Sequence, residues 1–599
     1  MKILNSFFSL VCITAVFITS SNCSNQPTVI KTGQTDSTVV FTVKGNPRYL
    51  ILPIEEKAPS LSLEIEGQSL IDLHLAQHLI DYYVPLELNG RKSFTLHINN
   101  HTNNSFALNN LKVADQFKTL NQEKHRPLYH FTADYGWVND PNGMVYAEGL
   151  YHLFYQYNPY GSIWGNMTWG HAVSKDLVNW QRRPIAIEPD SLGTIFSGSA
   201  IVDHHNAAGF GKNAIITFYT SFQPKSLHQQ VQSMAYSTDG GNSFTKYGGN
   251  PILKSDKDLI DFRDPKVIYY AATKTWIMAL ASGPQIKFFS SKNLKDWHFE
   301  SAFRDQYNPE NATWECPDLI QVPVDQDSSQ KRWVLIVSHG KGPFGGSAVQ
   351  YFTGDFDGHK FVCHSDPKQK KWMDYGKDHY ATVTWSNTPV PLAIAWMSNW
   401  EYANDVPTYQ YKGAMSLVRK LSLFKVKDEY YLASTPLKKQ EELHLSKTAF
   451  TPFTLHKESH NLLLPQTENP GAYELTFEAE MTSADVFGFH LFNDVGESIQ
   501  VFINQAENRI YLDRNKSGKG KTLKTFPTMT YAPTWGEKKV NLHLFVDKSS
   551  VELFLNGGKS VITDLIFPSE PYNRINFYSK GGSCKITNLT YYTYQESIK

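Results

Sequence analysis

At 599 residues the chain is too long for one hydrophobic core, so two to four domains are expected. Its 57 basic and 57 acidic side chains cancel, and no run of Lys and Arg concentrates charge; nucleic acid and other polyanions are excluded as partners. Aromatic residues reach 14% of the chain, which suits sheet proteins and flat stacking surfaces. The elements begin with a targeting segment, 1–23. Met1-Lys2 supplies a positive charge, and Phe7 to Ile18 is an apolar stretch of signal-peptide length, too short to span a bilayer.

Cys23 resembles a bacterial lipoprotein acylation site, but Asn22 before it fits the small-residue pattern poorly. Lipid attachment to an outer membrane or cell surface and plain secretion both stay open, and either one means export, with periplasmic, cell-surface or secreted residence. Residues 25–118 carry short alternating runs at Thr38–Val43, Tyr49–Pro53, Leu61–Ile65 and Ser93–Ile98. They predict a small N-terminal β-module, closed by an Asn-rich stretch at 99–110.

Between 125 and 430 a pattern repeats five times. First strands open at Asp140, Phe196, Asp264, Glu315 and Asp378. Each leads to a second apolar strand: Tyr151–Tyr155, Ala214–Tyr219, Trp276–Leu280, Trp333–Val337 and Leu392–Trp396. A spacing of roughly 50–70 residues is a propeller signature. A second repeat sits at matching phases: Ser174–Trp180, Ser237–Phe244, Ser291–Trp297 and, more loosely, Gly354–Phe361. Each is a polar turn followed by an aromatic, with Trp180 and Trp297 expected as wedges between blades. From 445 to 595 period-two strands at Tyr473–Ala479, Val486–Phe492, Ser498–Ile503, Arg509–Leu512 and Val540–Val546 predict a β-sandwich. Lys438–His444 reads as a short linking helix. The fold class is therefore all-β: a five-bladed propeller, a C-terminal sandwich and an extra small N-terminal β-domain.

Because first strands of propeller blades surround one axis, Asp140, Asp264 and Glu315 should converge. Singly each reads as a turn or solvated residue; their shared phase makes them candidates. Two carboxyls facing each other are what glycoside cleavage needs, one attacking the anomeric carbon and one moving the proton. The attacking group must be ionised, with Asn139 and the backbone N–H groups of the turn Pro141-Asn142-Gly143, those of Asn142 and Gly143, as candidate donors. The acid must hold a proton, and Glu315 between Trp314 and Cys316 is placed for that. In an extended strand Arg263 and Asp264 point to opposite faces and need not pair. Cys316, Cys363 and Cys584 are too few and scattered for a disulfide framework or zinc site, and Cys316 reads as a small buried filler. No metal and no cofactor is expected.

Several strings then resemble one family. Trp137-Val-Asn-Asp-Pro-Asn-Gly143, Phe262-Arg-Asp-Pro265, Trp314-Glu-Cys-Pro317, Trp164-Gly-Asn-Met-Thr-Trp-Gly-His171 and Phe196-Ser-Gly-Ser199 are similar, in order, to blocks of glycoside hydrolase family 32. This family comprises invertases, inulinases and levanases. The resemblance covers about 125–595 and implies a five-bladed propeller with a sandwich. It implies Asp140 as nucleophile, Glu315 as general acid/base and Asp264 as the stabiliser that binds fructose hydroxyls. It implies Asn139, Gln156, Trp164, Phe196, Ser197, Arg263 and Trp400 as fructosyl-pocket residues. Gly345–Gly358 and Asp374–Ala381 resemble the fructan exohydrolases, which implies release of terminal fructose from levan, inulin and sucrose. An endo-levanase, a fructosyltransferase and a non-catalytic fructan-binding protein are the alternatives. The resemblance assigns nothing to residues 25–118.

Overall fold

The computed structural model describes residues 27–597, apart from 36, 66–70, 98–104, 120–122, 225, 227–228, 256–258, 305–310, 367 and 466. The expected targeting segment and Cys23 lie outside the described residues. The N-terminal strands form a five-stranded sheet and a three-stranded sheet. Alternation makes the core here: in Thr38–Lys44 the side chains of Val39, Phe41 and Val43 are buried while their neighbours are not. Within the Asn-rich closing stretch, Ser105–Asn110 is one short helix that buries Ala107. It is too short to show a helical period in sequence.

The next four sheets make the five propeller blades, the fourth and fifth blades being joined in one eight-stranded sheet. Their first strands are Gly136–Ala147, Thr194–Asp203, Phe262–Tyr270, Glu315–Val324 and Tyr380–Thr384. Each packs beside the next, and the fifth returns to the first, so the strands surround an axis. The ring is laced shut because Tyr411–Lys412, which follows the second strand of the fifth blade, pairs parallel with Gly136 and Trp137 of the first. Both faces of a blade are covered by neighbours, so the strands read as continuous apolar runs; Thr168–Ser174 is buried at every position.

The repeated polar turns are built alike. Ser174 Oγ bonds Asp176, and Asp176 then accepts from Val178 N–H (3.0 Å) and Asn179 N–H (2.8 Å). Ser237 with Asp239, and Ser291 with Asn293, repeat the motif. The aromatics that follow are wedges: Trp180 stacks on Trp385 of the fifth blade, and Trp297 meets Phe218 of the second edge-on.

Lys438–Leu443 forms a 3-10 turn rather than an α-helix and leads into the sandwich. There a seven-stranded and a six-stranded sheet close over Phe477, Phe487, Phe489 and Phe577. Sandwich and propeller meet across buried ionic groups. His130 lies between Asp547 and Glu552 (2.8 Å each), and Arg419 links Glu552 to Asp374. Arg514 of the sandwich bonds Asp378, which also accepts the Leu565 amide.

Candidate active site

All five first strands carry a register irregularity soon after they start: at Asn142–Val145, Ile195–Gly198, Arg263–Lys266, Glu315–Asp318 and Tyr380–Val383. A bulge re-aims side chains at a strand end. In four blades a residue there is left-handed: Gly143 (φ 52°), Asp264 (φ 64°), Cys316 (φ 46°) and Ala381 (φ 53°). Three of these are not glycine, and each such residue stores strain on the order of 1–3 kcal/mol, held in place by the closed ring. In the second blade Gly198 is needed for space, since a Cβ there would meet Phe218 O at 1.9 Å.

These kinks correct the expectation for Arg263 and Asp264. The chain is not extended at Asp264, and both side chains enter the same site, with Arg263 Nε 4.0 Å from Asp264 Oδ2. Arg263 donates to Glu315 Oε1 through Nη2 (2.9 Å) and Nε (3.3 Å), and pairs with Asp261 and Gln230. Glu315 accepts from the Tyr380 hydroxyl through its other oxygen. Asp264 accepts the Cys316 amide at 2.9 Å, and its own amide donates to Thr220 Oγ1 at 3.0 Å.

Asp140 accepts from Asn139 Nδ2 (3.0 Å), Ser197 Oγ (2.6 Å) and Cys316 Sγ (3.4 Å). Among the described residues these, and not the amides of the following turn, are its donors. Asn139 is oriented in turn by Trp137 Nε1 (2.8 Å), and Trp137 stacks against Trp400 at 5.9 Å. In blade one Tyr155 pairs with Pro141 and Tyr157 with Val138, so Gln156 stands opposite the bulged pair Asn139–Asp140. It is buried, and its Nε2 has no partner among the described residues. Trp164 is 43% exposed and meets Phe196 edge-on at 6.2 Å. The structure thus joins Asp140 to Asn139 and Ser197, and Arg263 to Asp264 and Glu315, with Cys316 linking the two groups. Gln156, Trp164, Phe196 and Trp400 stand around them. A cavity of about 10 Å³, room for one water, adjoins the site among Asn142, Ser197, Asp264, Lys266, Cys316 and Thr384.

Burial shapes the charges. Desolvation pushes the Asp264 carboxyl up to about 7, against the pull of Arg263 and with the push of Glu315 and Asp140. Burial likewise raises Asp140 above its ordinary value; its donors oppose this, and Glu315 adds to it. Glu315 is partly buried, its side chain 29% exposed and held by Arg263 and Tyr380, while Asp264 keeps 5%. Burial also drives the Cys316 thiol well above its ordinary value, which leaves it a donor between Asp140 and Asp264 and not a nucleophile.

Sequence reasoning missed Tyr380 and the structural weight of Cys316. Asp378 held the fifth blade's acidic start, but it turns to the sandwich and Tyr380, two residues on, takes the place beside Glu315. Asp261 was also missed, although its place two residues before Arg263 was a signal.

A closed five-bladed propeller with three carboxyls, one guanidinium and exposed indoles at one end of its axis, joined to a β-sandwich, defines a glycosidase scaffold. The model of the glycosyl hydrolases family 32 N-terminal domain matches residues 130–436, and that of the family 32 C-terminal domain matches 440–593. Residues 35–129 match a domain of unknown function, DUF4980. The chain belongs to glycoside hydrolase family 32 and is a glycoside hydrolase. A levanase of Bacillus subtilis (strain 168) is 44% identical over 78% of this chain and 70% of the levanase. An extracellular exo-inulinase of Aspergillus awamori is 34% identical over 77% of this chain and 93% of that enzyme. A solved fructofuranosidase of Schwanniomyces occidentalis, complexed with fructosylnystose, superposes with a TM-score of 0.72 at 31% identity, covering 80% of this chain and 99% of its own.

Proposed function

We propose that the protein is a retaining exo-β-fructosidase that releases terminal fructose from levan or inulin and cleaves sucrose. The observation that carries the reading is the convergence of Asp140, Asp264 and Glu315 at one end of the propeller axis, with Arg263 joining Asp264 to Glu315 and Cys316 joining Asp140 to Asp264. Asp140 attacks the anomeric carbon. Glu315, held by Arg263 and Tyr380, protonates the departing oxygen and then takes a proton from the water that attacks the same carbon and displaces Asp140, so configuration is retained. Asp264 binds fructose hydroxyls, Asn139 and Ser197 hold Asp140, and Gln156, Trp164, Phe196 and Trp400 surround the sugar. Relatives named levanase, exo-inulinase and invertase support the substrate class.

A relative named levanbiose-producing levanase, 35% identical over 79% of this chain, favours a second reading in which a disaccharide leaves. Levan digested to low conversion separates the two. Free fructose alone, with long polymer persisting, supports the exo reading; levanbiose or a ladder of oligofructosides overturns it and leaves the fold and the carboxylates untouched. Export is proposed on the apolar Phe7–Ile18 segment and on the likeness to an extracellular exo-inulinase. If Cys23 carries lipid, the protein fractionates with membranes and Cys23→Ala releases it.

A further inference from the structure

The N-terminal module takes no part in the chemistry above, yet it grips the pocket wall at two points. The first is the irregular loop 159–167 of the first blade, which carries Trp164. Ser162 donates its amide to the Tyr82 hydroxyl at 2.8 Å, and its own hydroxyl meets the Tyr82 hydroxyl (3.0 Å) and the Glu56 carboxylate. Asn166 closes a ring with the backbone of Asp72, accepting its N–H at 2.9 Å and donating to its carbonyl at 2.8 Å. Trp164 is therefore fastened to the module two residues before and two residues after. Its own amide goes to Asn404 at 3.0 Å.

The second grip is on the ring-closing strand Tyr411–Lys412. The Lys412 ammonium is 2% exposed and meets both oxygens of Glu56, at 2.7 and 2.6 Å. Gln410 donates to the Tyr83 carbonyl at 3.0 Å. A buried ammonium stripped of its counter-ion is strongly unfavourable, so the propeller's closure depends on a carboxylate from the module. Tyr135 and Tyr160 complete the contact by packing on the module's apolar core.

A loop without strands has few backbone bonds of its own, and its geometry is whatever its partners impose. Loop 159–167 draws on Asn158 at its base, on Asn404 and the Tyr409 carbonyl of the propeller, and on the module on both sides of Trp164. Asp140 and Glu315, in contrast, are held by propeller residues alone: Asn139, Ser197, Cys316, Arg263 and Tyr380. We propose that the N-terminal module is a brace of the sugar pocket: Tyr82, Glu56 and the Asp72 backbone fix the wall that carries Trp164, and so set affinity for the fructosyl substrate while bond cleavage is left to the propeller. These are positioning residues, and the proposal rests on the fructosidase reading.

The test uses the full chain with Tyr82→Phe and Asn166→Ala together, which cut the grips on both sides of Trp164, and with Tyr82→Phe alone, which removes one hydroxyl and keeps the packing. Hydrogen exchange and steady-state kinetics on sucrose and levan are measured on each. A lost hydrogen bond of ordinary strength is worth up to about tenfold in an equilibrium. Amide exchange over 159–167 should therefore rise about tenfold in the double variant, and about threefold in the single one, with the other blades unchanged. KM should rise by a similar factor, with kcat within about twofold of wild type. Unchanged exchange in the loop, or a loosened loop with KM unchanged, overturns the brace; so does a loss confined to kcat. A wild-type protein that cleaves no fructosyl substrate refutes the fructosidase reading instead, and the exchange measurement then decides alone whether the module holds the loop.

Discussion

At the mouth of the propeller Asp264 and Glu315 share the guanidinium of Arg263 with Asp261, while Asp140 is met by the neutral donors Asn139, Ser197 and Cys316. At the seam with the sandwich, Asp374, Asp547 and Glu552 are buried more deeply still but are met by Arg419, His130 and backbone amides. Burial penalises charge in both places. At the seam the partners more than offset it: Asp374, Asp547 and Glu552 all fall below their ordinary values, and His130 is raised to about 9 by the two acids that flank it. At the mouth the partners are too few, and Asp140 and Asp264 rise. The seam has its own exception that proves the cause: Asp564 shares Arg514 with Asp378, and it too is raised. Charge balance, not depth, separates a structural ion cluster from a site poised to move protons.

The comparison breaks most visibly at Asp140. Asp140→Asn should lower turnover by roughly 10⁴-fold or more, since an amide cannot form the glycosyl ester. Its melting temperature should stay equal to wild type or rise, because an under-paired buried acid is removed. A variant that loses stability in step with activity would place Asp140 with the seam acids. Glu315→Gln should cost about 10²–10⁴-fold on levan and far less on an aryl fructoside, whose leaving group needs little protonation. Equal losses on the two substrates would remove Glu315 from the acid's role.

At the seam the reverse is expected. Arg419→Met leaves Asp374 and Glu552 without their guanidinium and should cost about 3–5 kcal/mol in denaturant unfolding. Turnover per folded molecule should be unchanged, measured by active-site titration. The smallest effect is a pH dependence. The folded-state value of Asp264, about 7, lies above its ordinary 3.8, so its contribution to stability is full below that lower value and is lost as the pH rises through about 7. Asp264→Asn should therefore gain stability over wild type as the pH climbs from 4 to 8, by on the order of a few kcal/mol at the upper end. A gain that is flat with pH would show that Asp264 is ionised in the folded protein throughout.

The sequence by itself determined the repeat, and with it the architecture. A propeller strand must be apolar on both faces and begin at a fixed phase, so five copies of one pattern were readable without any contact. The acids at those phases, and Arg263 beside one of them, were equally legible, because first strands of a closed ring must converge. What only tertiary structure decided was which neighbours each acid meets. The bulge at Asp264 turned its side chain into the same site as Arg263. Asp378, identical in phase to the others, was claimed by Arg514, 136 residues away, and left its place to Tyr380. The module at the N-terminus had no legible purpose, since its grip on Ser162, Asn166 and Lys412 runs through groups 80, 94 and 356 residues apart. Periodicity is written locally. Burial and charge balance are sums over neighbours that only the folded chain assembles.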